Sequence, residues 1–411
     1  MAERRGTLGL VQATALYVGA VLGTGVLVLP AIAAETAGPA SLIAWAALVA
    51  LSVPMALTYA AMSRQRPDAA GFSDAIERAF GPRWGAASGW ILLAAVPPGF
   101  PVAMLIAGGS AATAFGLGRD AAFLFAGALT VTVLTVNLAG LRVSATAQTF
   151  SIGTIAVVIL IVIVRAAGRV DAEAFVPMFP HGEAAVGLAA VQLFWAFVGW
   201  EAITPLATEV RRPSDIWRAT VIAVIVVAAF YLALAIVTIG THAYGSAAGQ
   251  VPLVTLAVDT FGPRAGAAVG VLAFAITFPV ANAYTAGLTR LAAALARRRA
   301  LPPWLGPLDA RGVPRRALAV LAAVGVSALV VAYLTNLRLA DLLAPSNSAF
   351  IATYVLSMAA AVRLLRGPLR LGAAVSLVAC LVVFAFTGAL VVWIAGVSVA
   401  AMLYTRSLTS V

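Results

Sequence analysis

The chain has 411 residues, 63% hydrophobic and only 10% charged, with a mean hydropathy of +1.03. That composition excludes a soluble domain of this size and predicts a polytopic membrane protein with little mass outside the bilayer. The formal net charge is +11, and all 26 basic residues are arginine.

Twelve spans are predicted, at 8–32, 40–63, 86–116, 121–140, 146–167, 186–208, 217–241, 262–296, 317–336, 340–363, 371–387 and 389–405. Each is an apolar run near the length of about 20 residues that crosses a bilayer as a helix. Against these spans, 21 arginines lie on the side of the chain ends and even-numbered loops, in them or within the adjoining span ends, and five (Arg119, Arg165, Arg169, Arg264, Arg338) lie on the other side. The alternation is the positive-inside pattern and not a nucleic-acid footprint. It predicts an even number of spans with both termini in the cytoplasm. Cys380 is the only cysteine, which excludes a disulfide framework and a cysteine metal site. The first apolar segment lacks a convincing cleavage site and reads as a retained span.

Span 1 carries Gly19-Ala20-Val21-Leu22-Gly23-Thr24-Gly25 at its centre. Glycines weaken a helix and free its backbone to unwind. Unpaired backbone groups survive at membrane depth only inside protein or around a cavity. Two readings follow: Gly19-x-x-x-Gly23 packs closely on a neighbouring helix, or the helix opens there to bind something.

Span 2 exits at Arg64-Gln65-Arg66-Pro67, and Ser73 is placed to cap a short amphipathic helix in the elbow that follows. Span 3 contains Pro97, Pro98 and Pro101, which kink or break it. Span 6 reads Phe194-Trp195-Ala196-Phe197-Val198-Gly199-Trp200-Glu201, an acid beside a glycine inside an apolar helix. An ionisable group at this depth is costly and marks a functional site by default. Span 8 brings Asn282 and Tyr284 to membrane depth beside Pro279, and span 10 begins with Pro345-Ser346-Asn347-Ser348. Asn347 is counted with the site; interhelical hydrogen bonding is the alternative for it, as for Asn137 and Asn282.

Spans 1 and 6 are thus both broken by glycine and lie five spans apart. Five is odd, so equivalent helices in the two halves run in opposite directions, which is the mark of an inverted repeat with its binding site at the breaks. An opened turn presents amides of Gly23, Thr24 and Gly25 to a carboxylate. The freed carbonyls of both spans accept from an ammonium group. Around them stand Phe194, Trp195, Phe197, Trp200 and Tyr284, and Glu201 is the only embedded acid. The expected ligand is an α-amino acid with a neutral, apolar side chain.

Gly19–Leu27 followed by Pro30, Phe194–Glu201 followed by Glu209 and Pro213, and Arg66-Pro67 through Gly71, Phe80-Gly81 and Gly89-Trp90 together resemble the signatures of the amino acid–polyamine–organocation superfamily. The resemblance runs through the first ten spans in order. Chain length, Pro97–Pro101 and Phe278–Tyr284 look most like the bacterial exporters of L-methionine and branched-chain amino acids. It implies an all-α, LeuT-type fold of about twelve helices: a repeat in 1–167, its inverted partner in 186–363, and two extra helices in 371–405. It further implies that Gly23, Thr24 and Gly25 hold the substrate carboxylate, and that backbone around Ala20 and Phe194–Phe197 holds the amine. Glu201 matches an acid of arginine/agmatine-type antiporters, with a gating or proton-linked role, and Tyr284 matches a bulky substrate contact or gate.

Proton-coupled relatives that place a lysine in helix 5 have no counterpart here, where the stretch is Gly153-Thr154-Ile155. No cofactor is expected beyond an ion gradient; proton linkage through Glu201 is favoured, and sodium near Thr285 or Thr289 stays open. The implied function is secondary active export of neutral, apolar amino acids, with import, exchange or a non-transporting sensor as alternatives. An enzyme is not expected: His181 and His242 both lie in loops, and Ser398 has no partner.

Overall fold

The computed structural model describes residues 8–65, 71–140, 145–202, 210–245 and 251–407. Arg66, Pro67, Asp68, Glu209 and the end of span 6 (203–209) lie outside the described residues. Within them the protein is helical, apart from one isolated parallel bridge between Leu8 and Val210.

The predicted span 1 is two helices, α1 (Leu10–Leu22) and α2 (Gly25–Ala37). A turn at Gly38–Ala40 leads into α3 (Ser41–Gln65). The elbow forms α4 (Gly71–Phe80). Ser73 does not cap it: the residue lies inside the helix, where its hydroxyl donates to the Gly85 carbonyl at 3.2 Å and ties α4 to the next helix. Span 3 is α5 (Pro82–Ala94) and α6 (Val96–Ala114), bent by 41° at their junction. The bend falls just before Pro97 and Pro98, which sit in the first turn of α6, where their missing N–H groups are tolerated.

After α7 (Arg119–Leu138) and α8 (Ala145–Ala167) comes α9 (Ala184–Leu193), which stops short. It passes into single 3₁₀ turns at Phe194–Phe197 and Trp200–Ala202. Then follow α10 (Pro213–Gly240), α11 (Pro252–Phe261), α12 (Pro263–Arg297), α13 (Arg315–Leu334), α14 (Leu339–Leu364), α15 (Gly367–Ala385) and α16 (Leu390–Ser407). Helix α11 corrects the expectation of a plain loop there: Leu253, Val254 and Ala257 form a buried stripe at helical spacing, opened by Pro252 at the first position. Pro279 and Pro345 sit inside continuous helices and do not end them.

By length and hydropathy, seven stretches qualify as membrane spans, or eight with the bent α5–α6 pair. One of the seven is Leu10–Ser63, 54 residues long. At 1.5 Å per residue that exceeds a bilayer core of about 30 Å, so it cannot cross once. The chain is therefore multi-pass. Burial separates centre from rim: the Leu10–Ser63 window is 78% buried, against 28% for α7 and α13 and 17% for α15. The broken first span thus sits in the middle of the bundle, and α7, α13 and α15 face outward.

Candidate functional site

The two helix breaks meet. Gly199 has φ +127°, and a Cβ placed there would lie 2.6 Å from the Ala20 carbonyl oxygen. Only glycine allows the backbones of the two broken segments to touch in this way. Gly25 does the same on the other side of the break: its Cβ would lie 3.1 Å from the Ala196 Cα. Gly23 takes φ +37° and turns the chain from α1 into α2. Gly19 has a different role, because its Cβ would strike the side chain of Ile152 on α8. The two readings of the glycine stretch are therefore divided among its members. Gly19 packs a helix pair, and Gly23 and Gly25 form the opening.

Beside the breaks lies a cavity of about 100 Å³. One water needs only about 10–15 Å³ measured in this way, so a small organic ligand has room. Ala20, Gly23, Thr24, Gly25, Trp195 and Tyr284 line it, and all six were expected at the site. Among the described residues, no charged side chain is in its wall. The Trp195 indole N–H donates to Thr24 Oγ1 at 3.0 Å, joining the two broken segments across the cavity wall. Trp195 also meets Phe350 edge-on, with ring centroids 5.9 Å apart.

Phe194, Phe197 and Trp200, also expected at the site, do not reach the cavity. Each is 0% exposed. In the 3₁₀ turn Phe194 and Phe197, three residues apart, share a face turned from the cavity and Trp195 points elsewhere, while Trp200 belongs to a second turn. Phe194 meets Tyr354 edge-on, Trp200 meets Tyr17 edge-on, and Phe197 packs at a tilt against Trp45 and Tyr231. Each such pair contributes about 0.5–1.5 kcal/mol beyond its burial. These rings hold the break in shape from behind. Asn347 is also turned away. Its Nδ2 donates to the Val191 and Gln192 carbonyls at 2.7 and 3.0 Å, satisfying the end of α9. Asn137 donates to Asn282 at 2.7 Å, an interhelical link between α7 and α12.

Glu201 stands next to the breaks without lining the cavity. Its Oε2 accepts from the Gly199 N–H at 2.9 Å and from the Tyr354 hydroxyl, and its Oε1 accepts from the Tyr284 hydroxyl at 3.3 Å. Tyr284 lines the cavity, so one hydrogen bond links the acid to the cavity wall. Tyr231 performs a parallel task. Its hydroxyl lies 2.9 Å from the carbonyls of both Val21 and Ala196 and 3.3 Å from that of Leu22. One O–H donates to one acceptor at a time, so this cluster keeps surplus acceptors for a further donor. The Tyr17 hydroxyl donates to the Trp200 carbonyl at 2.8 Å.

Sequence reasoning missed Tyr231 and Tyr354, whose only signal was a tyrosine deep within a long apolar run. It also missed the far wall of the cavity, formed by Phe100 and Met104 of α6, Leu134 of α7, Leu288 of α12 and Leu321 and Ala322 of α13. Thr285 reaches the cavity, and Thr289 donates to the Thr285 carbonyl at 2.6 Å. Thr154 is exposed and donates within its own helix to Phe150 at 3.0 Å.

A profile for the family described as "Amino acid permease" matches residues 8–410. The chain is 36% identical over 403 residues to an uncharacterized amino acid permease, YecA, of Bacillus subtilis (strain 168), covering 97% of this chain and 95% of that protein. It is 34% identical over 388 residues to the L-methionine/branched-chain amino acid exporter YjeH of Escherichia coli (strain K12), covering 93% and 91%. A serine/threonine exchanger, SteT, of Bacillus subtilis (strain 168) is 24% identical over 311 residues, covering 72% and 69%. The chain belongs to the amino acid permease family, and it is a multi-pass membrane protein of that family.

Proposed function

We propose that the protein is a secondary transporter that exports neutral, apolar L-amino acids of the Met, Leu, Ile and Val type by alternating access. The observation that carries this reading is the cavity at the meeting point of the two broken segments, apolar in its wall and free of charged side chains among the described residues. The substrate carboxylate lies on the amides of Thr24 and Gly25 at the start of α2, where the helix dipole favours a negative group; the Gly23 N–H, expected to join them, donates instead to the Gly19 carbonyl at 3.1 Å. The ammonium group takes carbonyls from the cluster at Ala20, Val21 and the Phe194–Phe197 turn. The side chain enters the apolar space beyond Trp195 and Tyr284, whose far wall offers it no ion partner.

Residues 1–167 and 186–363 act as inverted repeats of a LeuT-type, five-plus-five fold, and 371–405 adds two peripheral helices. Both termini are cytoplasmic in a bacterial inner membrane. Proton linkage runs through Glu201. Protonation changes what the carboxyl can accept from Gly199, Tyr354 and Tyr284, and so changes the hold on the break and on the cavity wall. The name of the exporter YjeH supports the direction and substrate class.

Direction is tested by growth in a toxic leucine analogue. Cells expressing the chain should gain resistance, and increased sensitivity would reverse the direction. Linkage is tested by Glu201→Gln in proteoliposomes. Leucine flux should persist but lose its pH dependence; an unchanged pH profile removes Glu201 from the coupling.

A further inference from the structure

A second recess lies away from the broken helices. It is a groove of about 500 Å³ between the α4–α5 elbow and α16, lined by Phe80, Gly81, Arg83 and Trp84 on one side and by Met402 and Leu403 on the other. Its α16 wall is apolar and exposed: Leu403 is 58% accessible. That wall lies about one turn before α16 ends at Ser407, which places the groove near the membrane–water boundary. Trp84, 40% accessible, is the residue type that collects at that boundary.

The charge of the groove has one sign. Arg83 lines it; Arg363 does not, but its guanidinium lies 5.5 Å from the centroid of the Phe80 ring, which does. Neighbouring arginines are neutralised: Arg78 pairs with Asp74 at 2.9 Å and Arg298 with Glu77 at 2.6 Å. Among the described residues, Arg83 and Arg363 have no carboxylate partner. The groove also receives the start of α5. There Gly81 provides no side-chain cap, so the positive end of a 13-residue helix adds to the two guanidinium charges.

We infer that this groove binds an anionic phospholipid, with the phosphate of its headgroup on Arg83 and Arg363 and an acyl chain along Met402 and Leu403. The pairing of a cationic rim with an apolar exposed wall suits an amphiphile better than a free anion, which has no use for the wall. It suits a soluble acidic protein poorly, because the wall faces lipid. The site is independent of the transport cavity. It would hold the elbow against α16, where Trp90 of α5 already meets Tyr404 at a centroid distance of 5.7 Å.

The test is native mass spectrometry of the full-length detergent-purified protein titrated with phosphatidylglycerol or phosphatidylcholine. Wild type should retain phosphatidylglycerol in preference to phosphatidylcholine. R83Q should weaken that retention about fivefold, and R83Q with R363Q roughly 30-fold, from the usual contribution of one arginine at an anionic surface. Both side chains are exposed, so the variants should fold, and size-exclusion profiles check this. R169Q, beyond the far end of α8, should leave retention unchanged. Equal retention of the two lipids by wild type, or undiminished phosphatidylglycerol retention by the double variant, overturns the proposal. So does a dimer that R83Q dissociates, since a second copy would then occupy the groove.

Discussion

Replacing Gly199 with alanine attacks the contact between the two broken segments at one atom. Gly199 has φ +127°, a region that other residues enter at about 1–3 kcal/mol. The added Cβ would also lie 2.6 Å from the Ala20 carbonyl oxygen and 2.9 Å from its carbonyl carbon. Ordinary carbon–oxygen contacts begin near 3.3 Å, so one backbone must retreat by about 0.7 Å. Neither side yields easily. Ala20 sits at the end of α1, and the Gly199 N–H is held by Glu201 and Tyr354. A penalty of about 1–3 kcal/mol, placed on the arrangement proposed to bind substrate, lowers its population roughly 5- to 150-fold. The assay is the initial flux of labelled leucine in proteoliposomes, with size exclusion and thermal midpoint to confirm folding. Gly109→Ala is the control, because its Cβ meets nothing within 4 Å in the middle of α6. That change should leave flux within about twofold and add helix propensity. If G199A transports like G109A, the two breaks do not need to touch for function and the site is misplaced.

Ala322→Phe puts a ring into the far wall of the cavity. Flux of methionine and leucine should fall at least tenfold while valine falls less, measured as competition against labelled leucine; equal losses for all three would mean a general block. Asn347→Ala removes two buried hydrogen bonds at the end of α9 without touching the cavity. It should destabilise by about 1–3 kcal/mol, seen as a lower thermal midpoint, and leave the KM for leucine unchanged. A raised KM with unchanged stability would return Asn347 to the substrate.

The break in span 1 was legible because three glycines stand where a spanning helix needs none, and the break in span 6 because a glycine stands two residues before an acid. Which glycine does what was not legible. Gly19 and Gly23 have the same spacing motif, and only the position of Ile152 separates packing from opening. The site aromatics were half legible for a similar reason. Phe194, Trp195, Phe197 and Trp200 share one run, but a 3₁₀ turn distributes them differently from an α-helix, and Trp195 alone of the four reaches the cavity. Tyr231 and Tyr354 were hidden because their function is set by the carbonyls and carboxylate they meet across 35 to 210 residues of sequence. Helix α11 was lost to its brevity, since ten residues carry little periodic signal.

In the proposed transport cycle, backbone groups at two touching breaks hold an amino acid whose side chain enters an uncharged cavity. The most direct measurement loads proteoliposomes with labelled leucine or labelled arginine and follows each with and without a proton gradient. Leucine flux should respond to the gradient and be competed by methionine, with no arginine flux above protein-free vesicles. Arginine flux without leucine flux would contradict the proposed cycle.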